Sequence, residues 1–252
     1  MIGVTQHGNI AVLTLAHGKA NALDTEFCRA VIGQFEKLAK AKNVEAVVIT
    51  GQGAMFSAGV NLLRASDGGV KYLRTFLPAL NKMFDTIFNF PKPVIAAING
   101  HAIAGGCVLA CCADYRMMVR GNGRIGVTEL LVGLPFPALA FEVMRFVVGP
   151  RWFAETIYTG ETYAPEAGLE RGLLHELVEQ NALMPRAIAA AEMLARLAPA
   201  AFRQTKAQMR LPVTERIKKD GKKTDAAVTK IWCTPASVAS IKSYVARTLR
   251  KS

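Results

Sequence analysis

The chain has 252 residues, 51% of them apolar and 20% charged, with a formal net charge of +12. That is enough apolar material for a substantial core, arranged as one large domain with an appendage or as two domains. No window approaches the ~20 uninterrupted apolar residues of a membrane span, and the first residues lack the charged-then-apolar order of a signal peptide, so a cytoplasmic protein with no membrane partner is expected.

In chain order, Asn9 to Leu15 alternates and is rich in β-formers, which predicts a strand. Asp24 to Lys42 follows as a helix, with Asp24 or Thr25 as its cap. Val44 to Thr50 reads as a buried strand ended by Gly51-Gln52-Gly53, and leads into Met55-Phe56-Ser57-Ala58-Gly59-Val60-Asn61-Leu62. Ser66 to Gly69 is a turn, and Val70 to Phe90 a helix stopped at Pro91-Lys92-Pro93. Val94 to Ile98 is a second buried strand closed by Asn99-Gly100, Cys107 to Ala113 a buried helix, and Tyr115 to Val119 a strand. Ile125 to Leu134 is short and irregular. Helices are predicted over 138–148, 150–158, 165–171 and 183–197. Past Pro199 the strand pattern vanishes, and two or three basic helices finish the chain, the last from Ala236 to Leu249. Apolar strands without clean alternation, repeatedly followed by a turn and a helix, indicate an α/β core whose sheet is covered by helices.

Two strand-to-helix junctions stand out, one at Ser57 to Leu62 and one at Gly105-Gly106. The first amides of a helix have no intrahelical partner and carry the positive end of its dipole, and a residue without Cβ lets another molecule approach them. Such a junction can hold negative charge developing on oxygen. The alternative is that the glycines only let the helix pack tightly on the strand.

Other motifs carry less. Gly121-Asn122-Gly123-Arg124-Ile125-Gly126 matches a dinucleotide fingerprint, but Gly133 and Pro135 cut short the helix such a site needs. The cysteines Cys28, Cys107, Cys111, Cys112 and Cys233 are odd in number, form no C-x-x-C pair and have no histidine at ligand spacing, so buried free thiols are expected, with no metal. None of the histidines sits in a nucleophile context, though His101 could line a pocket. The basic run Arg216 to Lys223 has no interleaved aromatics to stack bases.

Three segments, in order, resemble the crotonase superfamily, the enoyl-CoA hydratase/isomerase family. They are Phe56 to Leu62, then Lys92 to Cys107 with Ala113-Asp114-Tyr115-Arg116, and then Tyr158-Thr159-Gly160 with Ala164 to Leu173. The resemblance implies a crotonase-like spiral of β-β-α units over residues 1–198. It also implies an α-helical C-terminal region over 199–252 that builds homotrimers, often paired into hexamers, and contributes CoA contacts. Acyl-CoA thioesters become the expected substrates, with no separate cofactor because coenzyme A is part of the substrate.

By the same resemblance, Ala58 and Gly105 supply the two backbone N–H groups that hold the thioester oxygen, and Gly59, Val60 and Leu62 line the site beside them. Lys19-Ala20-Asn21-Ala22-Leu23 resembles the loop that receives CoA, with Lys19 near phosphate and Ala20 and Ala22 giving backbone contacts. Lys230, Lys242, Arg247 and Lys251 are candidates for further phosphate contacts. Where hydratases of the family carry two glutamates, this chain has Val108 and Glu129. Val108 lies at i+3 from Gly105 and is expected to face the pocket. Glu129 is expected as the single base, its pKa raised by apolar surroundings; Glu142 is a weaker rival with Arg145 beside it.

A lone carboxylate suits a Δ3,Δ2-enoyl-CoA isomerase, with an enoyl-CoA hydratase as the alternative. A non-catalytic acyl-CoA scaffold and a nucleic-acid-binding protein are alternatives of another class. Two departures stand out: Asn61 replaces the family's usual aspartate, and Leu134-Pro135-Phe136-Pro137 replaces a glycine-rich segment, which suggests a differently shaped acyl pocket.

Overall fold

The computed structural model describes residues 2–248. It opens with an antiparallel hairpin, β1 (Ile2–His7) and β2 (Ile10–Leu15), followed by α1 (Thr25–Lys40). Asp24 caps α1, its Oδ1 accepting the Phe27 N–H at 2.8 Å. Three turns of one pattern follow, each a long strand, a short strand and a helix. The first is β3 (Ala46–Gly51), β4 (Met55–Ser57) and α2 (Leu62–Phe88). The second is β5 (Val94–Ile98), β6 (His101–Ile103) and α3 (Gly105–Cys111). The third is β7 (Tyr115–Val119), β8 (Ile125–Gly126) and α4 (Glu129–Val132). After these come α5 (Ala138–Thr159), β9 (Thr162–Tyr163), α6 (Pro165–Glu170), β10 (Glu176–Val178) and α7 (Leu183–Ala195). The C-terminal helices are α8 (Pro199–Arg216), α9 (Lys222–Trp232) and α10 (Pro235–Thr248), with a π-helical turn at Ile217–Gly221 joining α8 to α9.

The long strands, joined at one edge by the three-residue β10, form a six-stranded sheet in the order β1-β2-β3-β5-β7-β10, parallel apart from the first pair. The short ones form a second sheet, β4-β6-β8-β9. This is the expected ββα spiral, and the helical C-terminal region is present. Successive residues of a strand face opposite sides, and here both sides are buried. Val47 and Ile49 join the large core under α1, α2 and α3, while Ala46 and Val48 join a second core closed by Leu183, Ala187, Ala190 and Ala191 of α7. That explains the unbroken apolar runs.

Several boundaries differ from expectation. β1 carries no apolar alternation because all but its first residue are exposed, so its residues give no strand signal. The short strands β4, β6 and β8 are too brief to show a period, so Gly105 follows β6 and not the Val94–Ile98 strand directly. The turn expected at 66–69 appears as a break at Gly69 (φ 54°) inside α2, and α5 breaks at Gly149 (φ 66°), between the two helices predicted there. Leu249, the expected end of the last helix, lies outside the described residues. All five cysteines are free, four of them buried. Among the described residues no helix is long and apolar enough to cross a membrane.

Candidate active site

The two strand-to-helix junctions meet. Leu23 forms a parallel bridge with Val60: its N–H donates to Gly59 O at 2.8 Å, and its carbonyl accepts the Asn61 N–H at 2.9 Å. In that pattern the N–H and C=O of the bridged residue, Val60, face away from Leu23's strand. Gly59 (φ 79°) packs against the end of β6 so tightly that a Cβ there would lie 2.6 Å from Ile103 O and 2.9 Å from Gly105 N. A Cβ at Gly105 would lie 3.8 Å from Val60 Cγ2. The amides of Val60 and Gly105 therefore sit on adjoining turns of backbone. At Gly106 the packing reading holds, since a Cβ would fall 2.3 Å from Ser57 O.

Ala58 does not supply a free amide. Its N–H donates to Ala20 O at 2.9 Å, and so the donor expected there is already committed. The Gly59 N–H is taken by Ser57 Oγ at 3.2 Å and the Asn61 N–H by Leu23. Among the described residues Val60 N–H alone of amides 58 to 61 has no partner. On the opposite side, Gly105 opens α3, where the first amides have no intrahelical acceptor. Ala104, between β6 and α3, holds a strained φ of 51°, pinned by its N–H on Gly126 O at 2.8 Å.

The 19–23 loop is fixed to the first junction. Asn21 Nδ2 donates to Met55 O at 3.0 Å, and Ser57 Oγ donates to Asn21 O at 2.8 Å. Asn21 Oδ1 also accepts the His17 N–H at 2.9 Å, and the His17 ring meets Asp24 at 2.7 Å. The loop carrying Lys19, Ala20 and Ala22 is thereby set before any ligand arrives.

These segments surround a cleft of about 760 Å³. Lys19, Ala20, Ala22, Ala58, Val60, Leu62 and Glu129 line it. Gly59 and Gly105 lie just behind the wall formed by Val60 and Ala104. Val108 is misplaced by the sequence reading: it is fully buried and not on the cleft wall. Every residue of α3 is buried, so one turn beyond Gly105 the helix is already inside the core. Asn61, the departure from the family's aspartate, caps α2, accepting the Arg64 N–H at 3.1 Å.

Glu129 opens α4 and is buried, with no hydrogen-bond partner for its Oε2. Burial pushes its carboxyl up to about 7, against the opposing pull of its own and the Thr128 backbone amides. Glu142 instead pairs with Arg145 at 3.4 Å and Arg216 at 3.3 Å, outside the cleft.

Sequence reasoning missed the far walls formed by Ile103 and Val132 and, from the C-terminal helices, by Trp232, Tyr244 and Thr248; Leu134, from the segment singled out as a departure, lines the cleft beside them. Trp232 Nε1 donates to Pro135 O at 2.8 Å, which fastens α9 to the Leu134–Pro137 segment. The available signal is that Trp232 is the lone indole of the basic C-terminal helices. Lys230, Lys242 and Arg247 are exposed and do not line the cleft, and Lys251 lies outside the described residues.

The profile of the family described as Enoyl-CoA hydratase/isomerase matches residues 5–248. The chain is similar to the carnitinyl-CoA dehydratase of Citrobacter koseri, 32% identical over 216 residues that cover 84% of this chain and 82% of that one. The crystal structure of human mitochondrial Δ3,Δ2-enoyl-CoA isomerase superposes with a TM-score of 0.95 over 100% of this chain and 99% of that chain, and its 22% identity speaks for the fold alone. An enoyl-CoA hydratase of Mycobacterium ulcerans superposes with a TM-score of 0.80 at 28% identity, over 89% of this chain and 98% of that one.

Proposed function

From the premise that this chain belongs to the enoyl-CoA hydratase/isomerase family, we propose that it is a Δ3,Δ2-enoyl-CoA isomerase. CoA enters over the 19–23 loop, and the thioester oxygen lies between the N–H groups of Val60 and Gly105. The Glu129 carboxylate takes a proton from C2. The C2–H pair becomes the C1–C2 double bond of a dienolate, whose charge rests on the thioester oxygen. The same carboxyl then returns the proton at C4, which leaves the double bond between C2 and C3, conjugated with the thioester.

Donors fixed in advance lower the barrier without reorganising, and one is typically worth about 2.7 to 4 kcal/mol. A carboxyl poised at about 7 can both accept and release the proton near neutrality. Its Oε2, free of other hydrogen bonds, is the oxygen suited to carry it.

The observation that carries this reading is the solitude of Glu129: it is the only carboxylate among the described residues that lines the cleft. Hydration needs one group to activate water and a second to deliver a proton, whereas a C2-to-C4 shuttle needs one. Assembly into a homotrimer or hexamer belongs to the same proposal. α7, α8 and the turn between them expose Met193, Leu197, Met209 and Leu211, apolar surface of the kind that subunit contact covers.

The test is a side-by-side assay of trans-3-hexenoyl-CoA isomerisation and crotonyl-CoA hydration. Isomerisation should dominate; hydration that equals or exceeds it would assign the chain to the hydratases.

A further inference from the structure

We propose that Tyr244 is a specificity-determining residue that closes the acyl compartment and limits the length of the acyl chain the site accepts. The proposal rests on the acyl-CoA reading above. A second, more open cavity, of about 670 Å³, lies beside the cleft, and among the described residues the two share only Ile103, Thr128 and Tyr244 as lining residues. Those three side chains form the partition between them.

The partition divides two environments. On the cleft side stand Val132, Leu134 and Trp232; on the far side Leu131 stands among His101, Arg124, Thr159 and Glu161. An alkyl chain gains by staying among the apolar residues, where each buried methylene favours binding about fourfold. Chain growth that reaches the partition meets the Tyr244 side chain.

The three members differ in freedom. Ile103 ends β6, two residues before Gly105, and Thr128 directly precedes Glu129, so both are tied to the backbone that holds the reacting groups. Tyr244 alone comes from α10, half-buried, with the Arg247 guanidinium 5.7 Å from its ring. It is the one part of the partition that can change in size without displacing an amide donor or the base.

The experiment compares trans-3-hexenoyl-CoA with trans-3-dodecenoyl-CoA in the wild type, Tyr244→Ala, Tyr244→Phe and Ile103→Ala. Calorimetric binding of hexanoyl-CoA and dodecanoyl-CoA runs in parallel. Tyr244→Ala joins the two cavities, and the dodecenoyl-to-hexenoyl ratio of kcat/KM should rise by about tenfold or more, with the binding ratio moving the same way. Tyr244→Phe keeps the ring and should keep the wild-type ratio. Ile103→Ala opens the same partition from β6, and although it lies near the Gly105 donor, its binding ratio compares two chain lengths at the same donors, so the prediction stays testable should the α10 variant fold poorly.

Binding ratios within about twofold of wild type in both alanine variants would overturn the proposal. The binding arm separates the two readings: a length shift in affinity without turnover of 3-enoyl thioesters would defeat the isomerase assignment and leave the role of Tyr244 standing.

Discussion

A methyl group on Gly59 would lie 2.9 Å from the backbone nitrogen of Gly105, and it is this contact that brings the two amide donors together. The three obstacles to a side chain at Gly59 are Ile103 O, Gly105 N and the Ala104 Cβ, two backbone atoms and one fixed to the backbone, so none can swing aside. The left-handed φ of 79° adds its own cost. Gly59→Ala should therefore lose about 1 to 3 kcal/mol of stability in urea denaturation. As β6 is pushed from β4 the two donors separate, and kcat should fall about 10²-fold even where the variant remains folded.

Val108→Glu tests the position that would hold a second acid in a two-glutamate enzyme. Had Val108 faced the cleft, a carboxylate there would add hydration of crotonyl-CoA. With the side chain fully buried in the core, the carboxyl enters apolar surroundings without a partner. The expected result is a loss of about 3 to 5 kcal/mol of stability with no gain of hydration. Thermal denaturation and the crotonyl-CoA assay read the two effects separately.

Much of the fold is legible because its signals are long-range averages. Apolar strands followed by helices predict an α/β core with a helix-covered sheet, and the resemblance of three ordered segments adds the spiral and picks Glu129 over Glu142. What escapes is set by backbone direction and by contacts distant in sequence. Whether Ala58 or Val60 offers its amide depends on which way each N–H points in an irregular segment, and that is decided by Ala20 and Leu23 across the loop. The i,i+3 relation of Gly105 and Val108 is real, yet a helix enclosed on all sides gives it no pocket to face. Trp232 and Tyr244 reach the cleft only because α9 and α10 fold back over it, through contacts such as Trp232 with Pro135.

Asp114 draws α8 into the core, its two oxygens held by Lys206 Nζ and Arg210 Nη2, each at 2.7 Å. All three residues are largely buried, and Arg210 also lies 4.1 Å from the centre of the Phe88 ring. Asp114→Asn keeps the shape but leaves two cations in the interior without their counter-charge. The expected cost is about 3 to 5 kcal/mol. The double variant Asp114→Asn with Lys206→Met removes one of the stranded charges and should recover part of that loss in the same denaturation series.

Glu129 couples activity to stability through one proton. Its carboxyl sits at about 7 in the folded protein against an ordinary 4.5, so the folded state binds the proton more tightly than the unfolded chain does. A group raised on folding contributes its full stability below the unfolded value and loses it as pH climbs through the folded one. The protein should thus lose about 3 kcal/mol between roughly pH 4.5 and pH 8 from this residue alone. Catalysis runs the other way, because only the carboxylate can take the C2 proton: kcat for 3-hexenoyl-CoA should rise with pH and level off above about 7. Glu129→Gln removes the titration. At pH 8 it should be more stable than wild type by up to about 3 kcal/mol, with a flattened stability profile and isomerisation reduced by at least about 10³-fold. Urea denaturation at several pH values, set beside the pH–rate profile, checks both signs at once, and a Gln variant no more stable than wild type at pH 8 would mean that the carboxyl is not held in an apolar wall.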